Sequence, residues 1–384
     1  MFLKVKEGQR VCPFKQKMLE IWRFCFSISI MRKTRKFLLG LDRSEGRLAT
    51  GSQVVHVVSR TAGQEILFED QDKETFHKIL FKQLKFSGLR VIAWCFMGNH
   101  FHLLLEIPDR ETALACLSEE DIIGRLSCFS EELSTKLLLG EVADCQRLGN
   151  AAGLTRIAEK VGKRLFDLSM FMKELKLKMT LAFNFAHGRK GTLWEGRFKS
   201  LVVAGNEAVR AVAAYIDLNP IRAGLVKEPE DYRWCSYAAA VGGMRLARSG
   251  LASAVSYEKK ITWNQALLHY RKFMYGVGQE VKGGATPDGY EQSKGGFSQR
   301  EIEAIWEEGG KLTLAQVLRC RVRYFTDGVV LGSQAFVDEF FTRQRELFGE
   351  RRTSGGRRMK GAQWGDLRVL RDLKEDVVVP SGSG

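Results

Sequence analysis

The sequence predicts an α+β fold: a split βαβ antiparallel sheet with helices on one face, a helical insertion, and a helical region at the C-terminal end. Three observations lead there. "SQVVHVVSRT" (52–61) and "VIAWCFMGNHFHLLLEIPDR" (91–110) are rich in β-branched and aromatic residues at strand length. The segments between and after them carry apolar residues at helical spacing. Their order along the chain is strand, helix, two strands, helical stretch, strand, helix, which is the ferredoxin-like pattern.

The first run, Ser52 to Thr61, reads as a strand. "EDQDKETFHKILFKQLKFSG" reads as a helix opened by acidic residues, which suit the positive end of a helix dipole. Residues 91–107 read as one or two strands, with Gly98 and Asn99 as the turn or bulge between them. Residues 109–187 read as helical, with "LSEEDIIGRL" and "FMKELKLKMTLAFNFAH" the clearest pieces. "HGRKGTLWEGRFK" is a glycine-rich basic loop, "SLVVAG" a short strand, and "NEAVRAVAAYIDLNPIRAGLV" a helix that ends near Asn219-Pro220. In that last helix Val209, Val212, Ala213 and Ile216 form an apolar stripe expected to face the sheet.

The expected organisation follows. Residues 1–50 are a basic extension, partly disordered, and Met31, at the head of "MRKTRKFLLG", is the expected functional start. Residues 51–245 hold the sheet, with the insertion near 109–168. Residues 246–297 are a helix and a glycine-rich linker, "KGGATPDGYEQSKGG". Residues 298–348 are the C-terminal helical region, and 349–384 a basic, largely disordered tail.

Of 384 residues, 60 are Lys or Arg and 45 are Asp or Glu, a formal charge of +15 that points to a polyanionic partner. The eight cysteines include no Cys-x-x-Cys pair, which argues against a zinc ribbon or disulfide framework and for a reducing cytoplasm. No segment approaches the roughly 18 uninterrupted apolar residues needed to cross a bilayer; "FCFSISIM" comes nearest and is too short, so no membrane is expected.

Chemistry concentrates at two places. By strand alternation His100 and His102 share one face, about 6 to 7 Å apart at Cα for two steps of about 3.3 Å, while Phe101, Leu103, Leu105 and Ile107 share the other. Two imidazoles at that spacing can ligate one metal ion, or they can decorate a solvated sheet face. Tyr215 and Asn219 stand one helical turn apart. Tyr215 is a candidate nucleophile if a divalent cation polarises its target, or an ordinary boundary tyrosine. Asn219 before Pro220 is a helix N-cap or a metal ligand. In the basic loop Arg189, Lys190, Arg197 and Lys199 can reach phosphates, and Trp194 can stack on an unpaired base or fold into the core. His56, His77, His187 and His269 have no partner at ligand spacing and read as structural or surface residues.

"HVVSRTAGQEILFEDQD", "WCFMGNHFHLLLEIP", "GTLWEGRFKS" and "AAYIDLNPIRAGLV", in this order, resemble the REP-associated tyrosine transposases, a single-tyrosine group of the histidine-hydrophobic-histidine endonuclease class. The resemblance covers roughly residues 51–240. It implies Mg²⁺- or Mn²⁺-assisted cleavage of single-stranded DNA beside a hairpin through a 5′-phosphotyrosine; the expected partner is single-stranded or hairpin DNA, and the expected state is a monomer or homodimer. On the matching motifs it implies His100 and His102 as the metal pair, Tyr215 as nucleophile and Asn219 as a third ligand. One departure is that Met179 and Ala182 stand where a related family helix often carries tyrosines. The alternatives are a domesticated hairpin-binding protein without cleavage and an RNA-binding ferredoxin-like module. The latter would show aromatics where this strand carries histidines.

Overall fold

The computed structural model describes residues 51–256, 261–275, 318, 322, 324–345, 348, 352–359 and 364–371. The expectations for residues 1–50 and for the linker at 282–297 fall outside them.

Strand β1 (Gln53–Arg60) is buried at every position between its ends. Helix α1 (Asp70–Ser87) opens on a capping box in which Glu69 and Asp72 accept each other's backbone amide hydrogens. It stops at Gly88, whose φ of 76° closes the helix in the left-handed region. A Cβ there would also sit 2.3 Å from the Phe166 ring, so glycine is required on two counts. Strands β2 (Arg90–Phe96) and β3 (His100–Ile107) follow, separated by the turn expected at Gly98 and Asn99.

The insertion comprises α2 (Arg110–Ala115), α3 (Glu119–Gly124), α4 (Leu133–Arg147) and α5 (Ala151–Gly162). It packs Leu126, Phe129, Val142, Ile157 and Val161 into a small core shared with Phe86 of α1. Helix α6 (Leu168–Ala186) then returns the chain to the basic loop, followed by β4 (Lys199–Val203), α7 (Asn206–Asp217) and the single turn α8 (Asn219–Arg222). Helices α9 (Ser236–Val241), α10 (Arg245–Val255) and α11 (Trp263–Tyr275) lead to the C-terminal segment. That segment contains α12 (Tyr324–Asp327), β5 (Val330–Ser333), α13 (Gln334–Arg343), β6 (Arg357–Arg358) and β7 (Leu367–Leu370).

The seven strands form one sheet in the order β2-β3-β1-β4-β5-β7-β6. Strands β2, β3, β1 and β4 pair antiparallel, while β5 joins β4 in parallel, with Val202 opposite Val330. Two expectations are corrected here. The residues from 298 onward are not simply a helical region and a disordered tail, because β5, β6 and β7 extend the central sheet and Val330, Leu331, Leu367, Val369 and Leu370 are buried. Runs of three or four apolar residues are too short to show a strand's period.

Nor do helices cover only one face. Phe101, on one face, packs against Phe76 of α1, while His102, on the other, lies under Tyr215 of α7. The mixed composition of the strands explains this: Val54, Val58 and Leu104 share the histidine face, and strands buried on both sides carry apolar residues on both. Helix α7 is correspondingly buried from Ala208 to Asp217 except at Arg210, so its apolar surface runs nearly all round rather than forming one stripe.

Candidate active site

The pairing of β1 with β3 sets Arg60 opposite His100, Val58 opposite His102 and His56 opposite Leu104. His56, His100 and His102 therefore lie on one face, with His56 diagonal to His102. Diagonal neighbours stand within reach of ring side chains, and the two imidazoles stack with centroids 5.1 Å apart and planes 14° apart. Their facing nitrogens, Nε2 of His56 and Nδ1 of His102, are 2.9 Å apart. His100 meets His102 edge-on at 5.1 Å.

Helix α7 crosses this face and brings Tyr215 to 6.0 Å from His102 and 6.4 Å from His56, ring centre to ring centre. Tyr215 is 4% exposed. The Arg222 guanidinium lies 3.9 Å above its ring and donates to the carbonyls of Tyr215 (2.6 Å) and Leu318 (2.7 Å). Phe325 meets the ring edge-on at 5.1 Å. Asp217 anchors the end of the helix by accepting from Ser236, from the Tyr237 amide and from the Tyr270 hydroxyl.

Asn219 makes no side-chain cap; its amide nitrogen lies 3.1 Å from Nε2 of His100, while Pro220 takes the first-turn place expected of it. The His100 tautomer follows by elimination. Asn99 donates its amide nitrogen to the Gln64 carbonyl (2.8 Å), which turns Oδ1 toward Nδ1 of His100 at 2.6 Å. An oxygen there must accept, so Nδ1 carries a proton, and in the neutral ring Nε2 is the acceptor that faces the Asn219 amide.

The His56 pKa is lowered to about 4: burial lowers it most, the Phe325 carbonyl works against this, and nearby Arg222 adds to the lowering. Burial, with His100 and His56 beside it, holds His102 well below the usual range. Neutral imidazole is the metal-binding form. Among the described residues no three His, Cys, Asp or Glu side chains cluster to hold a metal. Two imidazoles and the Asn219 amide, turned to present its oxygen, are a different set: they fit a cation that keeps several positions for water and phosphate.

The loop residues are dispersed. Arg189 and Lys190 are exposed, Arg197 is half-buried, and Lys199 is exposed in an ion pair with Asp327 at 3.1 Å. Trp194 as a base-stacking residue is corrected. It is 7% exposed, packs on Phe68 and Phe101, and donates to the Lys176 carbonyl and the Thr180 hydroxyl. His56, expected to be structural, belongs to the site, as do Arg222 and Phe325, none of which was a candidate from sequence. The one available signal for His56 was its place on the same strand face as a His-x-His partner.

Residues 50–116 match the family described as "Transposase IS200 like". No curated protein matches the chain. Among solved structures it is similar to a REP-associated tyrosine transposase bound to a REP hairpin, at 15% identity over 50% of this chain and 80% of that one, with a TM-score of 0.32. The segment matched to that family runs from the start of β1 through both histidines of β3 into α2, about a sixth of the chain, and over it the chain is similar to the IS200-like transposases.

Proposed function

We propose that this chain is a metal-dependent single-stranded DNA endonuclease and strand transferase that cleaves beside a DNA hairpin through a 5′-phosphotyrosine. The observation that carries the reading is the convergence on one spot of His100 and His102 from β3, Tyr215 from α7 and Asn219 from α8. Residues more than a hundred positions apart have no packing reason to bring two imidazoles, an amide and a tyrosine together. A tyrosine and a divalent cation at one phosphate supply nucleophilic phosphoryl transfer.

His100, His102 and Asn219 would hold Mg²⁺ or Mn²⁺, which when bound polarises the scissile phosphate and neutralises its charge. Tyr215 attacks phosphorus through its hydroxyl oxygen and releases its proton to solvent, the bond to the 3′ oxygen breaks, and that oxygen takes up a proton from solvent and leaves as the 3′-hydroxyl. The phosphodiester energy is kept in the tyrosine ester, so rejoining needs no nucleotide cofactor. Arg222 fixes the ring by lying on its face and bonding the backbone beneath it. Arg189 and Lys190 supply exposed positive charge for the strand.

The test is incubation of the full chain with end-labelled single-stranded hairpin DNA and Mn²⁺, followed by denaturing electrophoresis. A covalent adduct is expected with the wild type and none with Tyr215→Phe, whose hairpin affinity stays within a few-fold. An adduct formed equally by Tyr215→Phe would place the nucleophile elsewhere.

A further inference from the structure

Nδ1 of His56 lies 2.9 Å from the carbonyl oxygen of Phe325. A carbonyl only accepts, so in neutral His56 the proton sits on Nδ1 and Nε2 is bare. That bare nitrogen is the one 2.9 Å from Nδ1 of His102. It can only accept, so His102 donates from Nδ1, and its own proton-free atom is Nε2. A carbonyl from the C-terminal segment thus dictates, through two rings, which nitrogen His102 keeps free.

We propose that His56 is a positioning residue for the metal pair: anchored on the Phe325 carbonyl, it holds His102 as the Nδ1–H tautomer with Nε2 left to ligate. The inference rests on the metal reading of His100 and His102. His100 reaches the same state by a different route, through Asn99 and Gln64. Both imidazoles are therefore set to bind through Nε2 by partners outside the ligand set. Such outer partners orient ligating rings, and losing one typically costs about 10- to 100-fold in metal affinity.

Two isosteric variants separate this role from packing. Gln at position 56 can place its oxygen near where Nε2 stood and accept from His102. Asn reaches only the Nδ1 position and can bond Phe325 but not His102. Full-length protein labelled with ¹⁵N-histidine, without metal, reports the tautomer by long-range proton–nitrogen correlation, the His102 signals being assigned by their loss in His102→Gln. Mn²⁺ titration followed by electron paramagnetic resonance reports affinity without any DNA. Wild type and His56→Gln are expected to show Nδ1–H on His102 and Mn²⁺ dissociation constants within about threefold of each other. His56→Asn is expected to gain Nε2–H and to bind Mn²⁺ about 10- to 100-fold more weakly.

A proton on Nε2 of His102 in the wild-type protein would overturn the proposal whether or not either variant folds. So would His56→Asn binding Mn²⁺ as tightly as His56→Gln. Wild type that takes up no Mn²⁺ would overturn the metal reading itself and the relay with it, whereas uptake indifferent to residue 56 overturns the relay alone.

Discussion

Asp217 ends the helix that carries Tyr215, and replacing it with Asn tests how that helix is held. The carboxyl is fully buried, with Oδ1 accepting from Ser236 at 2.6 Å and from the Tyr237 amide at 3.0 Å, and Oδ2 accepting from Tyr270 at 2.8 Å. Burial lifts its pKa to about 6 in spite of these donors. In the unfolded chain it returns to the ordinary value near 3.8. Between those values the folded state binds more protons than the unfolded state, so stability falls as pH rises through the window. The contribution is fully present below the unfolded pKa and lost above the folded one. Two pKa units correspond to about 3 kcal/mol in full, of which about 2 kcal/mol falls between pH 4.5 and 7. Asp217→Asn keeps an oxygen for Ser236 and Tyr237 but cannot ionise. The buried histidines titrate alike in both proteins and cancel in the difference. Urea unfolding of both at pH 4.5 and 7 should show Asp217→Asn gaining about 2 kcal/mol on the wild type across that interval. Parallel stability profiles, with a gap that does not change with pH, would refute the reasoning.

Phe101→Ala should destabilise by about 3 to 5 kcal/mol in chemical unfolding, because Phe76, Phe96 and Trp194 enclose the ring and leave little room for collapse. His100→Ala should unfold at nearly the wild-type midpoint yet lose Mn²⁺ uptake by titration, since its ring is only partly buried. Trp194→Phe should cost about 1 kcal/mol for the lost indole hydrogen bond and leave single-strand affinity unchanged, measured by fluorescence anisotropy. Arg189→Ala with Lys190→Ala should flatten the logarithmic salt dependence of that affinity by about 1.4, at about 0.7 per phosphate contact, with no change in stability.

What could be read in advance follows from the range of each interaction. Strands β1 and β3 and helices α1 and α7 are long enough for period and capping residues to reveal them, and His-x-His with Tyr215 and Asn219 needed only alternation and one helical turn. His56 escaped notice because its partner is 46 residues away and the contact depends on the register of two strands, which no local pattern states. Phe325 contributes a carbonyl, which every residue possesses. Trp194 had two environments open to it, and its choice was made by Phe68 and Phe101, which lie far from it in sequence. The covered histidine face was foreshadowed by Val54, Val58 and Leu104, but the pull of two histidines toward a solvated reading hid it.

The pairing of β5 with β4 puts part of this site late in the chain, and synthesis gives that placement a duration. His102 is made well before Phe325, and at about 5–20 residues per second the interval between them is roughly 10 to 45 seconds. From the completion of β4 until β5 is made, β4 lacks its parallel neighbour, and an unpaired strand edge is open to other chains. A newly made molecule therefore passes through a stage in which His100, His102 and Tyr215 all exist while the carbonyl on which His56 rests does not.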